Sequence, residues 1–321
     1  MNLHYFHYPE GPNTNHTLGA VVAIGTFDGL HRGHQRLFDV AQAKAQRLGV
    51  PCAVFTFVEH PRTILRPDHA PQLLTPWSEK LERLEAAGID TVYAAHFTQA
   101  LSKLTPEQFV EEILHRNLGL RGIVTGFNFR FGHAQTGTPE SLQALGNERG
   151  ISVEIVPPVE DERGVISSSR LRSLVQEGRV DAVKDLLGYP YTLEGHVVHG
   201  DKRGRTIGFP TANLAIPSDK LLPAYGVYAC VAKINGLHEP AVVNIGCRPT
   251  VEGKEVRVEV HLLTGGGDLY GQKLRLFLMH HLRGEQAFPS LDALKEQISA
   301  DCLRAMQLLC EAQAPSHREI R

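Results

Sequence analysis

The sequence predicts two domains of different architecture: an α/β domain over residues 1–186 and a small six-stranded antiparallel β-barrel with a C-terminal helix over residues 187–321. Three observations predict this division. Strand-like and helix-like segments alternate in the first half, whereas strand-like segments follow one another in the second half. Gly188-Tyr189-Pro190 marks the change between the two patterns. The length of 321 residues is also that of about two domains.

The first half contains short apolar runs that are typical of buried strands. The first helix is expected over residues 33–48, where apolar residues recur at helical spacing and Gly49 follows. Thr75-Pro76 and Thr105-Pro106 predict two helix starts with threonine as N-cap, and Gln108 completes a capping box with Thr105. Repeated βα units of this kind are typical of a parallel sheet with helices on both faces, so the fold is expected to be Rossmann-like. The predicted strands are 20–27, 50–57, 91–97, 122–127 and 151–156.

The second half contains six strand-like runs punctuated by glycine and proline. Six short strands indicate a closed barrel, because closure removes exposed strand edges. A last helix is expected from Ser290, with an apolar stripe that runs from Leu291 to Leu309 and packs against the barrel. The predicted strands are 195–198, 211–216, 226–234, 241–245, 256–263 and 273–280.

Composition excludes several classes of protein. With 33 Lys and Arg against 35 Asp and Glu, the formal net charge is −2, which argues against a nucleic-acid partner. No stretch approaches the ~18 apolar residues of a membrane span, so no membrane partner is expected. The five cysteines are odd in number and form no CxxC pair, and the N-terminus lacks the apolar core of a signal peptide. These features predict a cytoplasmic protein.

The segment 25–34 (GTFDGLHRGH) is the first candidate site, because it joins the first strand to the first helix. Ligands bind at the carboxyl ends of parallel strands, and a helix N-terminus offers unpaired N–H groups to phosphate. Gly25 and Gly33 allow close approach of the backbone, and His31 and His34 add donors on one face. The sequence contains neither GxxxxGK[ST] nor GxGxxG. The alternative is that the histidines cap a helix and the glycines merely turn the chain.

The segment 195–214 (GHVVHGDKRGRTIGFPTANL) is the second candidate site. A loop with Gly200, Lys202 and Arg205 can surround phosphates with backbone amides and cations. Thr211 and Asn213 are two residues apart and face the same side of a strand, where their oxygens suit Mg²⁺ and a phosphate. The alternative is a basic hairpin loop followed by polar strand residues.

Together with further motifs, these segments resemble the bacterial bifunctional riboflavin kinase/FAD synthetases, whose first half belongs to the HxGH nucleotidyltransferase superfamily. The resemblance extends over about residues 18–310, with the motifs in the order of the family. In the first half the similar segments are FTFVEHP (55–61), TGFNFRFG (125–132) and ISSSRLR (166–172). In the second half they are LPAYGVY (222–228), NIGCRPT (244–250), VEVHLL (258–263) and DLYG (268–271).

The resemblance implies an FMN adenylyltransferase in the first half. The phosphate of FMN would attack the α-phosphorus of ATP, giving FAD and pyrophosphate, and Mg²⁺ would neutralise the triphosphate. His31 and His34 would stabilise the charge that develops at the α-phosphorus. The other residues implied to bind ATP are Gly25, Phe27, Asp28, Gly33, Ser168, Ser169 and Arg172, and those implied to bind flavin are His60, Pro61 and Asn128.

Three residues of the first half depart from the family pattern. Asn128 stands where the family has Asp, Glu59 where it usually has Pro, and Gln135 where it often has a basic residue. Asparagine keeps a hydrogen bond but loses a charge, so adenylyl transfer would be weakened if that carboxylate orients flavin or holds metal.

The resemblance implies a riboflavin kinase in the second half. Glu259 matches the general base, which accepts the proton of the riboflavin 5′-hydroxyl before attack on the γ-phosphorus of ATP. Thr211 and Asn213 would hold the Mg²⁺–nucleotide, and Gly200, Lys202 and Arg205 would surround its phosphates. Thr264-Gly265 replaces the usual Asp-Phe just after this strand.

Three hypotheses follow. The first is a bifunctional enzyme that converts riboflavin to FMN and then FMN to FAD, with ATP as co-substrate and small molecules as its partners. The second is a riboflavin kinase with an impaired or regulatory nucleotidyltransferase-like half, motivated by Asn128, Glu59 and Gln135. The third is a non-catalytic flavin-sensing protein, against which the proton acceptor Glu259 argues.

Overall fold

The computed structural model describes residues 1–12, 19–200, 204, 207–250, 253–265 and 269–311. The chain divides into two compact units, Met1–Ser168 and Ser169–Arg321. Helices α7 (Ser168–Gln176) and α8 (Val180–Leu187) follow this division, whereas the boundary expected from the sequence at residue 186 comes near the end of α8. The second unit thus begins with helices before its first strand.

The first unit is built on a seven-stranded sheet with the order β2-β1-β5-β4-β3-β6-β7. All neighbouring strands pair in parallel except β2, which runs antiparallel to β1. The strands are β1 (Asn2–His7), β2 (Gly11–Pro12), β3 (Val21–Ile24), β4 (Cys52–Phe57), β5 (Thr91–Ala95), β6 (Gly122–Gly126) and β7 (Ser152–Val156), and β8 (Glu160–Asp161) and β9 (Gly164–Val165) form a separate hairpin.

Helices cover both faces of this sheet, as the sequence predicts. Val21 and Ala23 of β3 belong to one apolar core, whereas Val22 and Ile24 belong to the core on the opposite face. The alternation follows from the period of two residues in a strand. The helices are α1 (Arg32–Leu48), α2 (Pro61–Leu65), α3 (Trp77–Ala86), α4 (Gln99–Ser102), α5 (Pro106–Gln108), which continues as a π-helix over Phe109–Asn117, and α6 (Pro139–Asn147).

Two of the three helix ends predicted from capping residues are confirmed. Gly49 ends α1 with a φ of 65°, a left-handed conformation that glycine adopts without strain. Thr105 and Gln108 form the predicted capping box at the start of α5. The predicted N-cap at Thr75 is wrong: α3 begins at Trp77 with Pro76 as its N-cap. The hydroxyl of Thr75 bonds instead to the turn after β3, as described below.

The second unit contains the predicted six-stranded antiparallel barrel, closed in the order β10-β11-β14-β13-β12-β15. Helix α9 (Leu291–Glu311) packs against it through Ala305, which lies in one core with Val227, Ala229 and Val242. Leu291, the first residue of the predicted apolar stripe, is exposed. The strands are β10 (Tyr191–Val198), β11 (Ala212–Ala215), β12 (Gly226–Ile234), β13 (Leu237–Thr250), β14 (Gly253–Leu262) and β15 (Lys273–Gly284).

Candidate active sites

The turn between β3 and α1 holds an unusual backbone conformation. Phe27, Gly29 and Leu30 have φ values of 48°, 87° and 37°. Positive φ is unfavourable for non-glycine residues by about 1–3 kcal/mol each, and it persists only where surrounding structure enforces it. Phe27 and Leu30 are buried, so packing provides part of that constraint.

Asp28 provides most of the polar constraint on this turn. Its buried carboxylate accepts hydrogen bonds from the backbone N–H groups of Leu74 and Thr75 and from the Thr75 hydroxyl. The same hydroxyl accepts a bond of 2.9 Å from the Gly29 N–H, and the Ser168 hydroxyl donates to the carbonyl oxygen of Asp28. Asp28 therefore fixes the turn, and its predicted contact with ATP stays a prediction.

His31 and His34 are brought together at the N-terminus of α1. Their rings stack with centroids 3.7 Å apart, and the His34 N–H donates to Nδ1 of His31, which is the N-cap. A Cβ on Gly33 would lie 3.0 Å from the His31 ring, so this glycine allows the close packing. The bond accepted by Nδ1 assigns the proton of His31 to Nε2, which can donate to a phosphate oxygen.

Burial favours the neutral form of both histidines. Burial lowers the pKa of His31 to about 4, although the nearby Asp28 raises it. Burial also lowers the pKa of His34 well below its ordinary value, with further lowering by His31 and Lys80. The Nδ1 atom of His34 is buried without a hydrogen-bond partner in the part of the chain that the structure describes. A bound triphosphate would favour protonation of these rings.

The segment after β4 positions the predicted flavin residues His60 and Pro61. Nδ1 of His60 caps α2 by accepting from the Arg62 N–H, and Pro61 is the first residue of that helix. The carboxylate of Glu59 lies 2.8 Å from Nδ1 of His96 and accepts from the Phe97 N–H. The Glu59 carboxylate thus has hydrogen-bonding partners in the segment after β5, which explains how a carboxylate is accommodated where the family usually has proline.

Aromatic rings that the sequence analysis did not single out lie in the same unit. Phe57 packs edge-on against Phe97 at 5.4 Å, and Phe129 stacks on Phe131 at 5.7 Å. Asn128 precedes Phe129 and is exposed in the turn after β6. Phe57, Phe129 and Phe131 belong to the motif segments, whereas Phe97 lies outside them and meets Phe57 across 40 residues of the sequence.

The second unit brings Thr211, Asn213 and Glu259 together in one pocket of about 450 Å³. Asn213 of β11 and Asn244 of β13 flank Glu259 of β14 in the barrel register. A Cβ on Gly200 would overlap the side-chain amide of Asn213, so glycine is required for that approach. Lys202 and Arg205 lie outside the described residues, whereas Ser169 and Arg172 are in α7.

Part of the pocket wall is apolar. Ile207, Phe209, Val227, Val242 and Phe288 contribute to its lining, as do Leu294 and Ile298 of α9. Pockets with an apolar wall and a few convergent polar groups are typical of small-molecule sites. The arrangement suits a flat apolar ring system with a hydroxyl group directed to Glu259.

Metal-binding clusters and membrane-spanning helices are both absent from the described ranges. These ranges contain no group of three or more His, Cys, Asp or Glu residues that could hold a metal ion. In the same ranges, no helix is both long enough and apolar enough to span a membrane.

Comparisons with known proteins identify a matching family for each half of the chain. Residues 13–170 match the family model of FAD synthetase, and residues 187–309 match that of riboflavin kinase. A protein of Escherichia coli strain K12 is 38% identical over 292 residues, covering 90% of this chain and 92% of its own. A protein of Bacillus subtilis strain 168 is 36% identical over 293 residues, with the same coverage. Both are described as bifunctional riboflavin kinase/FMN adenylyltransferase.

A solved structure also resembles the chain. It comes from Streptococcus pneumoniae and is described as a macrolide-efflux protein. It is 35% identical in sequence and aligns with a TM-score of 0.85, covering 92% of this chain and 96% of its own.

Proposed function

The chain belongs to the family of bifunctional riboflavin kinase/FMN adenylyltransferases, and we propose how its own residues divide the two reactions. The second unit transfers the γ-phosphoryl group of ATP to riboflavin, giving FMN and ADP. The first unit transfers the adenylyl group of a second ATP to FMN, giving FAD and pyrophosphate. The observation that carries the proposal is the pocket in which Glu259, Thr211 and Asn213 meet at an apolar cavity.

In the kinase reaction, Glu259 acts as general base. Its carboxylate accepts the proton of the riboflavin 5′-hydroxyl as the hydroxyl oxygen attacks the γ-phosphorus of ATP. The apolar wall of the pocket holds the flavin ring and excludes water from the reacting groups. Thr211 and Asn213 hold the phosphate end of the nucleotide on the adjacent strand.

The residues of this pocket fit Mg²⁺. The hydroxyl of Thr211 and the amide oxygen of Asn213 are hard oxygen ligands, which this ion prefers. When bound with ATP, Mg²⁺ neutralises the negative charge of the phosphates during transfer. We propose that Thr211 and Asn213 hold it.

In the adenylyl transfer, the N-terminus of α1 and the two histidines stabilise negative charge at the α-phosphorus. Nε2–H of His31 donates to a phosphate oxygen, and the helix N-terminus supplies a partial positive charge. The phosphate of FMN attacks directly, so catalysis consists of positioning and electrostatic stabilisation. We propose that His60, Pro61 and Asn128 contact the flavin, and that Ser168, Ser169 and Arg172 contact the triphosphate.

Small molecules are the proposed partners, and the cytoplasm is the proposed location. The substrates of both reactions are riboflavin, FMN and ATP, and a net charge of −2 provides no broad basic surface for nucleic acid. All five cysteines are free, which agrees with a reducing compartment.

Chromatography with fluorescence detection tests the proposal directly. We expect the purified protein, incubated with riboflavin, ATP and Mg²⁺, to form FMN first and FAD afterwards. A reaction that stops at FMN, even when FMN is supplied under reducing and non-reducing conditions, would support the kinase with an impaired first unit. In that case Asn128→Asp should restore FAD formation if the lost charge is the cause.

A further inference from the structure

Lys80 of α3 has an ammonium group buried at the carboxyl ends of two strands. Its Nζ donates to the carbonyl oxygen of Thr26 at 2.9 Å and to that of Phe57 at 3.2 Å. Thr26 follows β3 and leads into the turn with His31 and His34, whereas Phe57 ends β4 and leads to His60 and Pro61. One side chain thus joins the starts of the two segments that carry the proposed ATP and flavin residues.

The position of these bonds matters because Thr26 directly precedes the strained part of the turn. Phe27 has a φ of 48°, and neighbouring structure must enforce that conformation. The Thr56 hydroxyl also donates to the Thr26 carbonyl, and Asp28 is held by the segment at Leu74 and Thr75. Lys80 comes from the helix that follows that same segment, and it adds a positively charged donor to the bonds that hold the turn.

A buried lysine often has only a structural role, and Lys44 is such a lysine in this chain. Lys44 is 7% exposed, as is Lys80, and its Nζ bonds to Ser152 at 2.8 Å and pairs with Glu154 at 3.4 Å. Ser152 is the first residue of β7, so Lys44 lies at the amino end of the sheet, away from the predicted ligand edge. Lys80 instead lies at the carboxyl edge, where ligands of parallel sheets bind.

We propose that Lys80 is a positioning residue for adenylyl transfer, because its ammonium group holds the phosphate-binding turn and the segment with His60 and Pro61 at a fixed separation. This inference rests on the proposed function of the first unit. Charged donors form hydrogen bonds about twice as strong as neutral ones, so the proton on Lys80 determines how firmly the two segments are held.

The proton on Lys80 is lost more readily than that of an ordinary lysine. Burial lowers its pKa to about 8, while Asp28 opposes the shift. Protonation is therefore complete well below pH 8 and is lost above it. The other titratable groups around this position are Asp28 in the turn, His34 on α1, and Glu59 and His60 after β4, of which Asp28, Glu59 and His60 line a small pocket with Lys80.

Steady-state kinetics of FAD formation from FMN and ATP test the inference with full-length protein. For Lys80→Met we expect a loss of roughly 100-fold in kcat/KM, because small misplacement of reacting groups has effects of that size. Lys80→Arg should recover most of the loss, since the guanidinium stays charged. In the unmodified protein, kcat/KM should fall as pH rises through about 8. Lys80→Arg should abolish that fall, whereas a fall due to another group would remain.

Two controls make the outcome decisive. Lys44→Met removes an equally buried ammonium and should leave kcat/KM for FAD formation and its pH profile unchanged. Urea denaturation followed by the fluorescence of Trp77, the single tryptophan of the chain, shows whether the first unit is folded in each preparation. If adenylyl transfer is unchanged in Lys80→Met, or if kcat/KM still falls above pH 8 in Lys80→Arg, the inference about Lys80 is overturned. The proposed function of the first unit would still stand. If the unmodified protein forms FMN but no FAD, the proposed function of the first unit fails and this inference fails with it.

Discussion

Glu259 lies between Asn213 and Asn244 in the barrel register, at the polar end of the pocket. Its neighbours in register come from two different strands, so Glu259 is a carboxylate flanked by two amides. A carboxylate in this position can accept a proton, whereas the amides can only donate and accept hydrogen bonds. Among these three side chains, only Glu259 can therefore act as a base.

Replacing Glu259 by Gln tests this role, because the glutamine side chain has nearly the same size and shape but carries no charge. The amide cannot accept the hydroxyl proton, so we expect kcat for riboflavin phosphorylation to fall roughly 100- to 10,000-fold, the usual contribution of a general base. FAD formation from FMN in the same preparation should be unchanged. The matched control is Glu239→Gln, since Glu239 is a barrel carboxylate that bonds to Thr264 outside the pocket. A kcat close to that of the unmodified protein would remove Glu259 from the base role.

Strand periodicity predicted only that Thr211 and Asn213 share a strand face; Glu259 came from the family resemblance, and neither gave an indication of Lys80 or of the role of Thr75. Thr211 and Asn213 share a strand face, and that relation is local. Lys80 bonds to carbonyl groups 54 and 23 residues away, and any sequence can provide such partners. Its one local signal is that it lies four residues before the buried Leu84 on the same helix face. Thr75 was misinterpreted as a helix cap because a Thr-Pro pair also fits a turn.

Among whole elements, β1 was the main omission of the sequence analysis. Only Phe6 of its six residues is buried, so the segment has no apolar run, and its partner β5 begins at Thr91. Parallel pairing between two strands so far apart in the sequence leaves no local sequence pattern. The predicted strands of the barrel also underestimate the length of β13, which extends from Leu237 to Thr250. By contrast, α1 and α9 were recognisable from helical spacing and end signals.

Helix α9 is held to the barrel by an ion pair that borders the flavin-sized pocket. The buried carboxylate of Asp301 accepts from Nε of Arg283 at 3.0 and 3.2 Å and from Gln297 at 2.9 Å. Because Leu294 and Ile298 of the same helix line the pocket, this pair also positions part of its apolar wall. The guanidinium of Arg283 is partly exposed, which limits the cost of losing its partner.

For Asp301→Asn we expect a decrease of about 2 kcal/mol in the free energy of unfolding of the second unit, measured by urea denaturation. The estimate is below the 3–5 kcal/mol typical of a fully buried pair, since Arg283 retains some contact with water. The KM for riboflavin should also rise. Asp292→Asn is the matched control on the same helix, because Asp292 is exposed and its distance to Lys295 is 3.8 Å. Equal effects of the two variants would contradict a specific role for the Asp301 pair.

At the scale of the whole molecule, each unit has its own apolar core, and the two proposed reactions depend on different residues. The pair His31 and His34 lies in the first unit, the pocket of Glu259 lies in the second, and the two share no residue. The overall architecture was predictable because each unit has one pattern of apolar periodicity. FMN is the product of one site and the substrate of the other. Because the two reactions depend on different residues, we expect FMN to leave the pocket of Glu259 and to bind at the site of His31 and His34 as a free molecule.

Mixing two single-site variants tests this expectation. Glu259→Gln should convert FMN to FAD but form no FMN, and His31→Asn should form FMN but no FAD. When equal amounts are combined with riboflavin, ATP and Mg²⁺, FAD should accumulate after a lag that shortens as the concentration of the Glu259→Gln protein rises, because released FMN must reach it by diffusion. Each variant incubated alone is the control. If both retain their single activity but the mixture forms no FAD, FMN does not leave the chain that makes it, and the two sites must be coupled within one molecule.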